Sequence, residues 1–570
     1  MIHNMKTAQV TPASPRWTVQ VRFEDGRIFE APVGTPLEAF VQVAFSDSEP
    51  PVVAALVDGK LRELTYEVTR DIEATLVTMA SHDGMRIYRR SLALLLVVAT
   101  RELFPNAQLV VDHSLTFGGY FCRVEGREPL TAEELSRLEA RMREIVAEDA
   151  PITKRHVSLE EAVSMFEQMG YDDKVRLLAH REKDYLTVYT LHNVPDYLQG
   201  YMVPSTGYLR FFALRPYLPG FVLQFPLYRQ PTELQPFRDY PKLVAVFRQH
   251  TDWMQLMGVQ DVGGLNQAME AGRTREVVLV AEALHEQRIA EIAREIVRQR
   301  DQIRLVLIAG PSASGKTTFA KRLSVHLLAN GVRPFPISLD DYFVDRGHTP
   351  RDEEGNLDFE SLGALDLPLF NAQLLDLMAG REVTLPRYDF PSGQRQQGPT
   401  VRLGPEHVIV VEGIHGLNPD LVPLIPRECI YRIYVSALTL LNIDRHNRIP
   451  TTDTRLIRRI VRDAHYRNYS AEETILRWES VRRGEERNIF PYQEHADVMF
   501  NSALTYEMAA LKPLAEPLLL QIEPESPAYV EARRLLAFLD WFLPCSSDLI
   551  PSDSILREFM GGSILRDFTP

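Results

Sequence analysis

Apolar and polar residues alternate near the start of the chain as they do in antiparallel strands. The apolar positions of the first such segment are Val19, Val21 and Phe23. An Asp25-Gly26 pair then predicts a tight turn into a second strand, and Asp58-Gly59 predicts the same for another pair of strands. Between the two hairpins, Thr35-Pro36 predicts the cap and first turn of a helix. Two hairpins around one helix predict a β-grasp module.

The pattern changes after residue 85. An apolar run at Leu92–Ala99 predicts a buried helix, because it is much shorter than the roughly 20 residues that a membrane-spanning helix needs. A charged helix is predicted from Thr131 to Glu148 and a β-rich stretch from Tyr185 to Phe225, which together favour an α+β domain. Apolar residues then recur at helical spacing up to residue 300, so a helical connector is expected there.

Size and composition limit the class of protein. The 570 residues exceed the usual single-core size of roughly 100 to 200 residues, so several domains are expected. A net charge of −14 argues against a protein whose main task is to coat nucleic acid or an anionic membrane. Three widely spaced cysteines argue against a disulfide framework and a Cys-rich zinc site. Residues 1–16 contain no apolar core of a secretion signal, so we expect a flexible tail on a cytoplasmic protein.

The strongest chemical pattern follows an apolar strand at Leu305–Ile308. Residues 310–317 read GPSASGKT, which satisfies the G-x-x-x-x-G-K-[ST] pattern, and a helix is predicted to continue to Ala329. The order strand, glycine-rich loop, helix suits a phosphate cradle, because glycines let backbone N–H groups converge on an anion at the helix N-terminus. We therefore expect ATP to bind here. The predicted nucleotide-binding residues are Gly310, Ser312, Ser314, Gly315, Lys316, Thr317 and Thr318.

Two further predicted strands end in carboxylates, one at Asp340 and one at Glu412. In an open parallel sheet the ligand lies beyond the carboxyl ends of the strands, so both acids are expected beside the glycine-rich loop. Either acid alone could equally be a helix cap or a turn residue. Together with the loop, the pattern predicts that Thr317, Asp340 and Glu412 hold Mg²⁺. Asp340 is also predicted to take the proton of an acceptor hydroxyl, while Lys316 neutralises phosphate charge.

A later helix carries four arginines on one face, at i, i+3, i+4 and i+7: Arg455, Arg458, Arg459 and Arg462. Such a face repels itself unless anions lie against it, and transferring phosphates are suitable anions. The stripe, which includes Arg459 and Arg462, is therefore predicted to neutralise the charge that develops on the transferring phosphate. The alternative is a solvated face, or structural pairing with the nearby acids Asp463, Glu472 and Glu473.

In this order the motifs resemble the uridine kinase branch of the phosphoribulokinase/uridine kinase family, over residues 301–520. The matching segments are 310–317, 338–343, 386–390, 411–414 and 454–463. The resemblance implies an α/β P-loop kinase domain with a parallel sheet, which transfers the ATP γ-phosphate to a nucleoside 5′-hydroxyl. It also implies individual roles: Asp340 as general base, Glu412 as metal-associated acid, Glu360 on the ribose hydroxyls, Tyr388 on the nucleoside, and Arg459, Arg462 and Arg467 as lid and substrate-side arginines.

Two departures from the family concern the acceptor. The position of a base-reading histidine falls at Gly393, with Arg395 two residues further on, and Glu360 replaces an aspartate. We assign Arg395 to the substrate site together with Glu360 and Tyr388. Specificity depends on individual polar contacts, so the preferred base stays open, whereas the phosphoryl-transfer residues are unaffected.

A second resemblance covers residues 17 to about 225, which are similar to the amino-terminal TGS and editing domains of threonyl-tRNA synthetase. The similarity includes the β-grasp pattern, Arg89–Leu96 and Leu103–Asn106. The family's His-x-x-x-His pair reads Arg90 and Leu94 here, and its later Cys and His fall at His192 and Asp196. The resemblance therefore implies a retained fold whose hydrolytic site is lost, with His192 an ordinary surface or packed residue.

The predicted organisation is a flexible tail (1–16), a TGS-like β-grasp domain (17–85), an editing-like α+β domain (86–225), a helical connector (226–300), a P-loop uridine kinase-like domain (301–520) and a helical carboxyl-terminal extension (521–570). This order also resembles a bacterial group of two-part nucleoside kinases. The leading hypothesis is a Mg²⁺- and ATP-dependent nucleoside kinase. The alternatives are a kinase of another small alcohol, such as a pantothenate- or ribulose-phosphate-like acceptor, and a regulatory or tRNA-associated ATP-binding protein. We expect a small-molecule partner and neither a membrane nor nucleic acid; a homo-oligomer stays open.

Overall fold

The computed structural model describes residues 16–46, 49–352, 355–439 and 441–569. The predicted tail therefore lies outside the described residues, except for Arg16. The chain divides into two compact units. The first contains residues up to 108, 124–155 and 187–235, and the second contains 109–123, 156–186 and 236–570. In the part of the chain that is described, no helix has the length and apolar character needed to cross a membrane.

The elements up to residue 235 are given in chain order. They are β1 (Thr18–Phe23), β2 (Ile28–Pro32), β3 (Thr35–Pro36), α1 (Leu37–Phe45), β4 (Val52–Val57), β5 (Lys60–Glu63), β6 (Glu67–Val68), β7 (Ile72–Thr78), α2 (His82–Leu103), β8 (Gln108–Leu115), β9 (Gly119–Glu125), α3 (Ala132–Ala147), β10 (Thr153–Ser158), α4 (Leu159–Met169), α5 (Asp172–Leu178), β11 (Tyr185–Leu191), β12 (Val194–Asp196), β13 (Ala213–Tyr217) and β14 (Gly220–Gln224).

The amino-terminal sheet has the strand order β2-β1-β7-β4-β5, with β1 and β7 parallel and the other pairs antiparallel. It confirms the predicted β-grasp module, whose core lies between the sheet and α1. One detail of the prediction is wrong. Thr35 and Pro36 form a short strand with β6, and α1 begins only at Leu37 with Pro36 at its uncapped N-cap position.

The apolar run at Leu92–Ala99 is buried along its whole length inside α2, as predicted. The helix begins earlier than its apolar run, because the Ser81 hydroxyl accepts the Gly84 N–H at 3.1 Å and caps the polar first turn. The predicted domain boundary at residue 85 therefore falls inside α2. The charged helix α3 begins where predicted, with a reciprocal capping box between Thr131 and Glu134. The domain boundaries themselves stay predictions.

The remaining elements lie in the second unit. They are α6 (Pro241–Met257), α7 (Val262–Glu270), α8 (Thr274–Arg298), β15 (Leu305–Ala309), α9 (Lys316–Ala329), β16 (Arg333–Ser338), α10 (Leu367–Met378), β17 (Val383–Asp389), β18 (Gln394–Val401), β19 (His407–Glu412), β20 (Ile430–Ser436), α11 (Thr451–Tyr466), α12 (Ala471–Asn488), β21 (Val498–Asn501), α13 (Glu507–Leu519), α14 (Tyr529–Leu539) and α15 (Arg557–Met560).

A parallel sheet organises this unit, with the strand order β16-β19-β15-β20-β21. Strand β15 is apolar at every position and fully buried, as expected for a central parallel strand covered on both faces. Because the strands are parallel, their carboxyl ends meet at one edge, and the glycine-rich loop follows β15 at that edge. The predicted α/β P-loop fold is thus confirmed.

Candidate active site at the glycine-rich loop

The glycine-rich loop, residues 310–317, makes a tight turn between β15 and α9. Gly310 has no room for a side chain, because a Cβ there would collide with the carbonyl oxygen of Val435 on β20. Ala313 and Gly315 have positive φ angles of 56° and 85°, so the backbone enters the left-handed region twice before α9 begins at Lys316. Successive N–H groups in such turns form an anion-binding concavity at the positive end of the helix dipole.

Side chains of α11 bind the carbonyl side of this loop. Arg455 Nε donates to the Ser312 carbonyl at 2.8 Å, and Arg458 Nη1 donates to the Ala313 carbonyl at 3.4 Å. Both guanidiniums are fully buried and form ion pairs, with Glu485 and Glu507 respectively. The predicted four-arginine face toward phosphate is therefore wrong for Arg455 and Arg458, which hold the loop in shape instead.

Lys316 is the first residue of α9, and its side chain reaches back over the loop. Its Nζ donates to the Gly310 carbonyl at 2.8 Å. Burial lowers the pKa of Lys316, while the surrounding carboxylates of Glu412, Glu558 and Asp340 act in the opposite direction. A cation that is hydrogen-bonded to loop carbonyls and has several carboxylates around it can exchange those carbonyls for phosphate oxygens.

Glu412 ends β19, the strand adjacent to β15. The Thr317 hydroxyl donates to Glu412 Oε1 at 3.2 Å. Burial raises the pKa of Glu412 to about 7; Lys316 opposes this effect and Asp340 adds to it. Within the described part of the chain, the buried Oε2 atom has no hydrogen-bond partner. A hydroxyl and a carboxylate with an open oxygen fit Mg²⁺, which prefers hard oxygen ligands.

Asp340 lies in the short 3-10 turn that follows β16. Asp340 is an exposed residue, yet the protein atoms around its carboxyl group desolvate it and raise its pKa; Lys316 opposes the shift and Asp341 adds to it. The adjacent Asp341 has a different contact, since its Oδ1 accepts the Tyr388 N–H at 3.2 Å. The two neighbouring acids thus serve different parts of the site.

Glu360 is held against α12. Asn488 Nδ2 donates to the Glu360 carbonyl at 2.6 Å, and a Cβ on Gly484 would collide with the Glu360 side chain. Burial is the main cause that raises the pKa of Glu360 to about 7, and repulsion by Glu485 adds to it. The charges that act on Glu360 include Lys316 as well, so the structure brings Glu360 into the same cluster as the loop lysine.

The predicted acceptor residues Tyr388 and Arg395 face each other on the hairpin β17–β18. The Tyr388 ring contacts Phe343 and the exposed Phe390 edge-on, with centroid distances of 5.6 and 5.1 Å. Its buried hydroxyl has no hydrogen-bond partner among the described residues. Arg395, by contrast, donates to Asp366 Oδ2 at 2.7 Å, so its guanidinium already has an acid partner.

Glycine at position 393 has a physical cause. Its φ is +68°, and a Cβ there would lie 2.6 Å from Nε of Arg346. Arg346 in turn donates to the Phe390 carbonyl at 2.6 Å. A histidine at this position would need both a strained backbone and a displaced arginine.

The other predicted arginines gather around Asp463. Arg459 donates to the Ser312 hydroxyl of the loop at 2.8 Å and lies 3.2 Å from Asp463. Arg462 donates to Asp463 from two nitrogens, at 2.9 and 2.8 Å. Arg467 is half-exposed and contributes to the electrostatic field at Asp340. The three arginines thus form the structural ion pairs with Asp463 that the sequence offered as an alternative to phosphate binding. Arg459 also contacts the loop.

The positions of the synthetase editing residues have other contacts in the first unit. Arg90 donates to the Tyr201 carbonyl at 2.7 Å, and Leu94 is fully buried. His192 lies in the turn between β11 and β12, where its two ring nitrogens are 2.8 Å from Glu102 Oε1 and 3.0 Å from Glu148 Oε2. The loss of the hydrolytic site stays a prediction.

The loop, its Lys-Thr pair and the carboxylates at the strand ends define a P-loop domain of the kinase type. Residues 305–509, about a third of the chain, match the model of the Phosphoribulokinase / Uridine kinase family. Among solved structures, a possible uridine kinase from Bacillus stearothermophilus is 24% identical and covers 38% of this chain and 98% of its own, with a TM-score of 0.27. A D-glycerate 3-kinase from Cryptococcus neoformans is 16% identical and covers 45% and 87%, with a TM-score of 0.22.

The amino-terminal region matches threonine–tRNA ligases. The ligase of Marinobacter nauticus is 35% identical over 164 residues, which is 28% of this chain and 25% of the ligase. The ligase of Burkholderia lata is 34% identical over 202 residues, which is 34% of this chain and 31% of the ligase. The chain thus spans between a quarter and a third of the length of these curated relatives.

Sequence reasoning missed several residues of this site: Glu485, Glu507, Ser502, Asp341 and Glu558. Glu485 accepts the Ser312 N–H at 2.9 Å, and Ser502 Oγ donates to the Ser314 carbonyl at 2.5 Å. A usable signal was the set of apolar residues that alternate with these arginines along α11, Leu456, Ile457, Ile460 and Val461, because they indicate a helix packed into the protein. A buried arginine needs an acid partner, and Arg455 and Arg458 find theirs on other helices.

Proposed function

We propose that the chain is an ATP-dependent phosphotransferase that moves the γ-phosphate to the hydroxyl of a small molecule, and that this acceptor is a nucleoside 5′-hydroxyl. The observation that carries the proposal is that Lys316, Asp340 and Glu412 lie at the carboxyl ends of the adjacent parallel strands β15, β16 and β19, at one edge of the sheet, where both acids act on the charge of Lys316. The family match of residues 305–509 supports the same class of reaction.

In the proposed reaction, the acceptor oxygen attacks the γ-phosphorus and forms the new P–O bond. The bond between that phosphorus and the β,γ-bridging oxygen breaks, and ADP leaves with the electron pair. The acceptor proton passes to Asp340, whose raised pKa makes it a stronger base than an ordinary surface carboxylate. Lys316 and Arg459 lie at the loop and stabilise the charge that spreads over the transferring phosphoryl group.

Thr317, Asp340 and Glu412 are the oxygen donors that would hold Mg²⁺, which supplies charge neutralisation to the phosphate oxygens. Glu412 fits this role because one of its oxygens is bonded to Thr317 and the other is open. Arg462 and Arg467 are proposed to be lid and substrate-side arginines, because both guanidiniums pair with Asp463, which also pairs with Arg459.

The acceptor site is proposed to lie between the hairpin β17–β18 and Glu360. The exposed ring of Phe390 beside Tyr388 offers a flat apolar surface, which suits stacking of a nucleobase. The open Tyr388 hydroxyl and the Glu360 carboxyl are the polar groups that would bind sugar or base. Arg395 could join them only by leaving Asp366.

The test is a panel of ribo- and deoxyribonucleosides with labelled ATP and Mg²⁺, which scores transfer of the label to each acceptor. The variants are Lys316→Ala and, as a matched control, Lys60→Ala, which removes an exposed lysine on β5. We expect at least one nucleoside to be phosphorylated by wild type and Lys60→Ala, and Lys316→Ala to lose about 100-fold or more in rate. Equal activity of Lys316→Ala would refute the assignment.

Two other outcomes favour the alternatives. Labelling of pantothenate- or ribulose-phosphate-like alcohols without any nucleoside would move the acceptor to that class, which the glycine at position 393 leaves open. Binding of tRNA with a steep salt dependence and no labelled product would favour the regulatory or tRNA-associated alternative, because each phosphate contact releases counterions.

A further inference from the structure

The carboxyl-terminal segment, residues 551–569, places an acid on the N-terminus of α9. Glu558 Oε2 accepts the backbone N–H of Thr318 at 3.0 Å, across 240 positions of the chain. Thr318 is the third residue of the 14-residue helix, so its N–H is one of the donors that have no partner inside the helix. This donor lies at the positive end of the helix dipole, where any anion is stabilised. The Glu558 carboxylate therefore occupies a position that would also suit a phosphate group.

Glu558 also belongs to the charge cluster of the loop. Together with Glu412 and Asp340, it surrounds Lys316, and it repels the carboxylate of Glu412. A phosphate group bound to the loop would enter this same field and need the same positive partners. Two anions at this short range repel each other, so the acid and a phosphate compete.

Further contacts hold the segment on the loop. The Ile555 side chain lies against Gly315, where an added Cβ would come within 2.6 Å of Ile555 Cγ2. Lys321, one turn beyond Thr318 on α9, donates to the carbonyls of Leu565 and Arg566, each at 2.7 Å. The segment is therefore fixed at the loop glycine, at the helix terminus and one turn further along.

A buried aromatic side chain anchors the segment from its other side. Phe559 is fully buried, with the guanidinium of Arg458 5.1 Å from its ring centroid. Arg458 is the residue that donates to the loop carbonyl of Ala313. The segment and the phosphate loop thus share a supporting residue, and Glu558 is positioned by packing.

We propose that the carboxyl-terminal segment is an autoinhibitory latch, in which Glu558 occupies a nucleotide-phosphate position on α9 and must leave before ATP binds fully. This inference rests on the proposed nucleotide site. The latch lowers the fraction of molecules that can bind ATP, and the apparent dissociation constant rises by the reciprocal of that fraction.

The test uses the full-length chain and two measurements. The first is the dissociation constant of ATP with Mg²⁺, by calorimetry, for wild type, Glu558→Gln, Lys321→Ala and the control Asp567→Asn. Asp567 is an exposed acid of the same segment, so its substitution changes net charge equally. The second is amide hydrogen exchange of residues 555–566 in wild type, with and without saturating ATP.

The latch predicts that Glu558→Gln and Lys321→Ala bind ATP about three- to tenfold more tightly than wild type and that Asp567→Asn binds as wild type. It also predicts faster exchange of residues 555–566 when ATP is bound. Equal or weaker ATP binding by Glu558→Gln, or unchanged or slower exchange in ATP, would overturn the latch while leaving the nucleotide site intact. No ATP binding by either wild type or Glu558→Gln would overturn the nucleotide site itself, and the latch with it.

Discussion

The hydroxyl of Thr317 donates a hydrogen bond of 3.2 Å to the carboxylate of Glu412, across 95 positions of the chain. Thr317 follows β15 through the loop, and Glu412 ends β19, which pairs with β15 in parallel. The contact therefore follows directly from strand order. It places a hydroxyl oxygen beside a carboxylate oxygen, and both are ligands that Mg²⁺ would use next to a bound triphosphate.

The first prediction concerns the metal dependence of phosphotransfer. Glu412→Gln should raise the Mg²⁺ concentration for half-maximal activity by about tenfold or more, because an amide oxygen carries no net charge for the ion. Activity is measured across a Mg²⁺ titration at saturating ATP. The control is Glu406→Gln, an exposed acid just before the same strand, which should leave the titration curve in place. Identical curves for Glu412→Gln and wild type would remove Glu412 from the metal site.

The second prediction separates two adjacent acids. Asp340→Asn should lower kcat by about 10²- to 10⁴-fold, because the proposed base can no longer accept the proton. Asp341→Asn should mainly raise KM for the acceptor, because Asp341 binds the Tyr388 backbone on the hairpin. Steady-state kinetics with the acceptor found in the nucleoside panel measure both constants. A larger loss of kcat in Asp341→Asn than in Asp340→Asn would exchange the two roles.

The third prediction concerns the buried ion pair between Arg458 and Glu507. Arg458→Met should destabilise the chain by about 3 to 5 kcal/mol, because Glu507 would be left buried without its partner. The double variant with Glu507→Leu should recover most of this loss. Arg381→Met, which breaks an exposed pair with Asp376, should cost less than about 1 kcal/mol. Calorimetric unfolding compares the four proteins, and an equally unstable double variant would contradict the account.

The fourth prediction follows from the pKa of Glu360, which burial raises from 4.5 to about 7. A raised acid pKa means that the folded state binds the proton more tightly than the unfolded state. Its contribution to stability is therefore complete below pH 4.5 and is lost as the pH rises through about 7. Glu360→Gln should accordingly stabilise the chain more at pH 8 than at pH 5, by about 2 kcal/mol.

The measurement for Glu360 is the unfolding midpoint of wild type and variant at both pH values. Glu382→Gln is the control, since Glu382 is an exposed glutamate on the surface of the same unit. Its substitution should change the free energy of unfolding by less than about 0.5 kcal/mol, as is usual for an exposed side chain. An equal effect of Glu360→Gln at pH 5 and pH 8 would show that Glu360 titrates as an ordinary surface acid.

The parts of the site that are continuous in the sequence could be predicted from it. Strand, loop and helix around Lys316 are encoded locally, and the strand-end rule for parallel sheets placed Asp340 and Glu412 beside them. The β-grasp module was predictable for a similar reason, because alternating apolar and polar residues and Asp-Gly turns indicate its hairpins in the local sequence.

The parts that depend on tertiary docking could not be predicted. Arg455 and Arg458 were visible as part of a stripe, but the stripe did not show that their guanidiniums bind loop carbonyls and buried acids instead of phosphate. Their partners Glu485 and Glu507 come from other helices. The contact of Glu558 with Thr318 depends on how the carboxyl-terminal segment packs, which no local pattern specifies.

The most direct test of the central claim is calorimetric binding of ATP with Mg²⁺ to the full-length chain and to Lys316→Ala. The account predicts saturable one-to-one binding by the wild type and a loss of about tenfold or more in affinity for Lys316→Ala, because the Lys316 ammonium lies over the loop that is proposed to bind the phosphates. Equal affinity of the two proteins for ATP would contradict it.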